Sequence, residues 1–198
     1  MKLQYFFSLI ILPAFTSTVV AQKVETNITW LTNIPDAANN IIYNPLQKLT
    51  IEDFKGSSDE SASAAAITSS GFMFTAGYHS KNGKATLSVA VYCSFDKQES
   101  WMKEKGKTAY ILTHEQHHFD ISYLNTLQFI KKLKQTKFNQ ENYMEQLKDI
   151  YKKVVQDMKN MQHQYDEETG NGINTARQED WNKKIDEQVT VSAKETAL

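Results

Sequence analysis

The chain has 198 residues, with 22 basic and 23 acidic side chains and a formal net charge of −1. Lys and Glu are interspersed rather than blocked, which excludes the electrostatic footprint expected of a nucleic-acid or anionic-membrane binder. Cys93 is the only cysteine, so no internal disulfide can form.

In chain order, Lys2, the apolar run Phe6 to Phe15 broken by Pro13, and the small-residue ending Val19-Val20-Ala21 before Gln22 read as a secretory signal over residues 1–21. The run is too short to span a bilayer, and no later segment reaches spanning length. No cysteine sits at the cleavage point, which argues against a lipid anchor of the bacterial kind. Residues 22–198 are then one exported domain, periplasmic or secreted, with no stable membrane insertion. Asn27-Ile28-Thr29 is a glycosylation sequon, meaningful only in a eukaryotic secretory pathway.

Asn27 to Trp30 and Leu49 to Phe54 read as short or extended pieces, and residues 57–63 as a polar loop. Ala64 to Tyr78 and Ala85 to Phe95 form the clearest hairpin, closed at Lys81-Asn82-Gly83-Lys84 by the Asn-Gly pair that two-residue turns favour. Its second arm alternates Leu87, Val89, Val91 and Cys93 against Ser88, Ala90, Tyr92 and Ser94, which makes Cys93 a buried small hydrophobe. From about Thr108 to Lys134 there is no Pro or Gly, and apolar residues recur at helical spacing. A second helix is expected from about Gln140 to Tyr165, on the stripe Tyr143, Leu147, Ile150, Tyr151, Val154, Met158, Met161 and Tyr165. After Gly170-Asn171-Gly172 a short polar helix through Gln178 and Trp181 precedes a fraying tail. Strands first (about 24–96) and helices second (about 107–190) predict an α+β domain. Its parts are an N-terminal antiparallel sheet or hairpin region and long antiparallel helices.

The chemistry is concentrated in His114-Glu115-Gln116-His117-His118. Residues four apart share a helix face, so His114 and His118 can converge on one cation, Zn²⁺ by the H-E-x-x-H pattern. Glu115 sits beside them as a candidate general base. Catalytic zinc takes three protein ligands, and the third must come from elsewhere. A histidine six residues after the second is ruled out, because that position is Leu124. Asp120 lies about 200° round the helix from His118 and is expected to point away, in a structural or supporting role. The end of the second helix, running back antiparallel, is the better source. Asp166 is the first choice, with Glu167, Glu168 and His163 behind it, and Tyr165 could donate a hydrogen bond to an oxyanion.

Several segments together resemble a bacterial family described as predicted secreted zinc-dependent proteases. They are Leu49-Thr50-Ile51-Glu52-Asp53-Phe54-Lys55-Gly56, Ala64-Ala65-Ala66 with Thr68, Ser100-Trp101, His114 through Ile121, Tyr165-Asp166, Thr169, Gln178 and Trp181. The resemblance implies a zincin-like helix, a zinc-peptidase role in the envelope or outside the cell, and a site that includes the Tyr165-Asp166 segment. One departure stands out: the family pattern has His-Gly where this chain has Asn171-Gly172. A metal-ligating histidine there would be missing from this protein. The expected function is therefore an exported zinc-dependent peptidase acting on peptides or proteins. The alternative is a non-catalytic exported zinc-binding or cell-envelope interaction protein.

Overall fold

A computed structural model describes residues 24–34 and 36–196; the expected signal segment, residues 1–21, lies outside them. Six strands, β1 (Val24–Trp30), β2 (Asn40–Ile42), β3 (Ala66–Ile67), β4 (Ser70–Lys81), β5 (Lys84–Asp96) and β6 (Trp101–Met102), precede three helices, α1 (Ala109–Gln135), α2 (Tyr143–Thr169) and α3 (Thr175–Thr196). The architecture is α+β, and no helix among the described residues is long and apolar enough to cross a membrane.

The β4–β5 hairpin is the backbone of the sheet, in register from Ser70↔Phe95 to Lys81↔Lys84. Asn82 (φ 52°) and Gly83 (φ 75°) both take the left-handed conformation that a two-residue turn of matching twist requires. Along β5, Ala85, Leu87, Val89, Val91, Cys93 and Phe95 are all buried, while their neighbours face the other side. That alternation is the expected one, and it points one face of the sheet at the helices.

Three details depart from the sequence expectation. The first hairpin arm does not run from Ala64: β3 leaves the main sheet and pairs antiparallel with β6, Ala66↔Met102 and Ile67↔Trp101. β1 pairs parallel with β5, Val24↔Ala85 through Trp30↔Val91. A parallel or antiparallel partner presents the same period-2 pattern, so alternation alone carries no sign of direction. Finally, α3 is a 22-residue helix rather than a short one with a frayed tail. It buries Trp181, Ile185 and Val189 at successive four-residue steps. One apolar residue per turn is enough for a helix that docks along a narrow stripe, and such a stripe is faint in a polar segment. Ile185→Ala should therefore destabilise the fold by about 3 kcal/mol, measured as a shift of the urea midpoint. Val191→Ala, at a half-exposed position, should leave the midpoint nearly unchanged.

α1 lies across the inner face of the sheet. Phe129 packs against Phe72, Phe74 and Tyr151, and Phe119 against Tyr43 and Phe95. α2 begins at Tyr143 after Asn142 and ends on Gly170, whose left-handed φ of 59° caps the helix. It therefore runs four residues beyond the expected Tyr165, which keeps Asp166 on the helix. Thr108 caps α1, its hydroxyl accepting from Ile111 N at 3.2 Å.

Candidate metal centre

After an exposed first turn, α1 is enclosed on every side: His114, Glu115, Gln116 and His117 are consecutive and all buried. A helix stretch without a solvated face must satisfy its polar side chains from neighbouring elements. It does so in two directions. On the sheet side, Gln116 accepts from Leu49 N at 2.8 Å and donates to Asp120 at 2.9 Å. Asp120 also accepts from Tyr43 Oη at 2.7 Å and pairs with His117 Nδ1 at 3.1 Å and Lys48 Nζ at 3.5 Å. Burial favours the protonated form of Asp120. The hydrogen bond with His117, the Lys48 charge and the Tyr43 hydroxyl together still hold its pKa below the usual carboxylate range. Asp120 thus points away from His114 and His118, as its helical phase requires. His117, Asp120 and Asp186 also approach one another closely enough to be considered as metal donors. Both Asp120 oxygens are already engaged, one of them with an ammonium.

On the other side, His114 and His118 meet the end of α2. Their Nε2 atoms are 3.2 Å apart, and Asp166 Oδ1 is 3.3 Å from His114 Nε2 and 3.0 Å from His118 Nε2. A tetrahedral metal with donors at about 2.0–2.1 Å spaces them roughly 3.3–3.4 Å apart. The three atoms form a triangle of nearly that size, and the group could hold a metal ion. Of the four acidic-end candidates, Asp166 alone converges. His163 is exposed and pairs loosely with Glu167 at 3.9 Å. Glu168 accepts from Trp181 Nε1 at 3.0 Å and from Gln164 at 2.7 Å.

The remaining ring nitrogens decide what the triangle needs. His114 Nδ1 lies 2.8 Å from Gln178 Oε1, and His118 Nδ1 meets Gln162 Oε1. The orientation of each amide is set by its other end. Gln162 Nε2 donates to the His118 carbonyl at 2.8 Å, and Gln178 Nε2 donates to Tyr165 Oη at 2.6 Å and Asn182 Oδ1 at 2.7 Å. Each Nδ1 therefore carries the hydrogen, and each neutral ring turns the lone pair of Nε2 towards Asp166. Two lone pairs and a carboxylate oxygen facing one another at about 3 Å repel unless a cation stands among them. In the bare protein a proton added at a histidine Nε2 takes that cation's place and bonds to Asp166. Burial opposes protonation of His118, but its bond with Asp166 and the charges of Glu115 and Asp166 outweigh this and raise its pKa. Burial likewise opposes ionisation of Asp166, yet hydrogen bonds with His114 and His118 hold it well below the usual range.

Glu115, His114, His118 and Asp166 line one cleft. Its opposite wall is the segment Ala64 to Thr68, and Ser70, Ile111, Met158, Lys159, Gln162 and Asn171 complete it. Glu115 Oε2 is buried and has no hydrogen-bond partner among the described residues. The Ala64–Thr68 wall is held by Lys103, which donates through its backbone to Ala65 O at 2.9 Å and through Nζ to Ala62 O at 2.5 Å. Gly106 backs the same wall so closely that a Cβ would lie 2.5 Å from Ala65 O. One expectation changes here. Tyr165 does not reach the cleft as an oxyanion donor: it is fully buried, its ring stacks on His114 at 4.7 Å, and its hydroxyl donates to His114 O at 3.3 Å. Asn171, at the position of the family departure, sits on the cleft wall with φ 53° and caps α2 through its N–H to Asp166 O at 2.8 Å. The three-donor group is complete without it.

Sequence reasoning missed the two glutamine clamps and the Ala64–Thr68 wall as site features. Gln162 stands four residues before Asp166, on the same face of α2, which is the one signal that could have drawn it in.

Residues 77–172 match the sequence profile of a family of bacterial proteins of unknown function (DUF922). Neither curated proteins nor solved structures return a match to the chain. The matched stretch contains His114, Glu115, His118, Gln162, Asp166 and Asn171, and it ends before Gln178.

Proposed function

We propose that this protein is an exported zinc-dependent peptidase. The observation that carries the reading is the triangle of His114 Nε2, His118 Nε2 and Asp166 Oδ1, three acceptors at 3.0–3.3 Å beside a buried, unpartnered Glu115 oxygen. Two imidazoles and one carboxylate make a donor set that suits zinc and leaves a fourth position open. Zinc held there would polarise a water and the scissile carbonyl, supplying the Lewis acidity that the side chains lack.

The chain's own residues do the rest. His114 and His118 present neutral Nε2 donors because Gln178 and Gln162 hold their other nitrogens. Glu115, close to the donors and free of a hydrogen-bond partner at Oε2, takes the proton of the attacking water and returns it to the leaving amine. The wall of small residues from Ala64 to Ala66 leaves room for an extended substrate to approach backbone to backbone. The candidate secretory leader over residues 1–21 supports a site of action in the periplasm or outside the cell.

A second reading, a non-catalytic zinc-binding protein, would need a fourth protein ligand to close the site. Zinc titration of the purified protein decides between them. We expect one equivalent bound, hydrolysis of an unfolded protein substrate, loss of hydrolysis with a chelator and recovery on adding zinc. Stoichiometric zinc with no hydrolysis of any peptide would favour the second reading. No zinc uptake would remove both.

A further inference from the structure

We infer that Gln162 and Gln178 are the positioning residues of this centre, neutral acceptors that lock His118 and His114 in the Nδ1–H tautomer and set the strength of metal binding. The inference rests on the metal-centre reading above and extends it to what tunes the site.

A metal-ligating histidine usually donates its second N–H to a carboxylate, a backbone carbonyl or water, and a carboxylate partner raises the basicity of the ligand. Here both partners are side-chain amides. An amide oxygen gives the ring the same direction as a carboxylate would, without lending it charge. Each glutamine is in turn held at its nitrogen: Gln162 by the His118 carbonyl and Ser122 Oγ, Gln178 by Tyr165 Oη and Asn182 Oδ1. The geometry of the donors is thereby fixed as firmly as a carboxylate could fix it, while the donors themselves stay weaker.

Burial explains the choice of a neutral group. Gln178 is only 1% exposed, and the site already holds the carboxylates of Glu115 and Asp166. Two further carboxylates behind the histidines would add buried negative charge, which is costly unless it is paired. Amides let the site exist empty and fill reversibly. The clamps also come from different helices. Gln162 shares α2 with Asp166, whereas Gln178 belongs to α3, so the clamp on His114 forms only when α3 is docked.

The test has a readout that needs no metal. Nitrogen-15 NMR of the metal-free protein, above the histidine titration range, should show both rings protonated on Nδ1; free histidine prefers Nε2. In Gln162→Leu the His118 ring alone should lose that preference, and in Gln178→Leu the His114 ring alone. Zinc affinity, measured by competition with a chromophoric chelator, should weaken by about 10- to 100-fold in each. Gln178→Glu should tighten it about 10-fold. Wild-type rings protonated on Nε2, or affinities unchanged in correctly folded leucine variants, would overturn the inference and leave the zinc reading standing. A wild type that binds no zinc would overturn both. Should the buried position 178 tolerate no substitution, the more accessible Gln162 decides alone, since either of its two readouts can fail.

Discussion

Glu115→Gln is expected to keep zinc bound at one equivalent while slowing peptide hydrolysis by roughly 10²- to 10⁴-fold. The substitution is close to isosteric, so the buried position keeps its packing, and Glu115 is not one of the three converging donors. What is lost is the proton acceptor. Glu115 Oε2 is buried without a partner among the described residues, an arrangement that costs stability unless the atom has another task. The amide places an N–H or a far weaker base at the same point. The other carboxylate on the cleft, Asp166, is held by both histidines and its low pKa makes it a poor base. Measured kcat on a defined peptide, beside zinc content of the same preparation, checks the assignment. A variant that retains the wild-type rate would move the base elsewhere.

Asp166→Ala and Asp120→Ala should fail in opposite ways. Removing Asp166 leaves two imidazoles, which are too few to hold zinc in competition with water. Affinity should fall by more than about 100-fold, beyond the range seen for residues that merely support a ligand. The bare fold should be little affected, because the Asp166 side chain is partly exposed and ends a helix rather than filling the core. Asp120 is fully buried and holds Tyr43, Gln116 and His117 together. Its loss should destabilise the protein by about 3–5 kcal/mol, the usual result of breaking a buried charged network. Calorimetric zinc titration and urea denaturation of both variants separate the roles. Equal zinc loss in two equally stable proteins would refute the division.

The contrast between these aspartates was legible in the sequence because it follows from helical phase alone. Asp120 is two residues from His118 and cannot share its face, while Asp166 stands where a helix running back antiparallel reaches the start of α1. The hairpin was legible for a similar reason, since Asn82-Gly83 names its own turn. Elements that depend on distant partners were not. β1 could pair in either direction with the same alternation. Ala64 to Ile67 looked continuous with the hairpin arm until β6 drew β3 away. α3 showed too few apolar residues for its length to be read, although Trp181, Ile185 and Val189 are all it needs. Gln162 and Gln178 escaped for a chemical reason. A glutamine is ordinary anywhere on a helix, and only the atoms it faces make it part of a candidate metal site.

The donors on α1 sit at residues 114 and 118, and the helix continues to Gln135 before turning into α2. Seventeen residues of helix put that turn roughly 25 Å from those donors. The connection at residues 136–142 can therefore change in length or carry an appended module without disturbing a ligand. The short Gly170–Asn174 link has no such latitude: Gly172 packs against the His114 ring and passes its carbonyl to Tyr110. The helical layer is tolerant of change at one end and confined at the other.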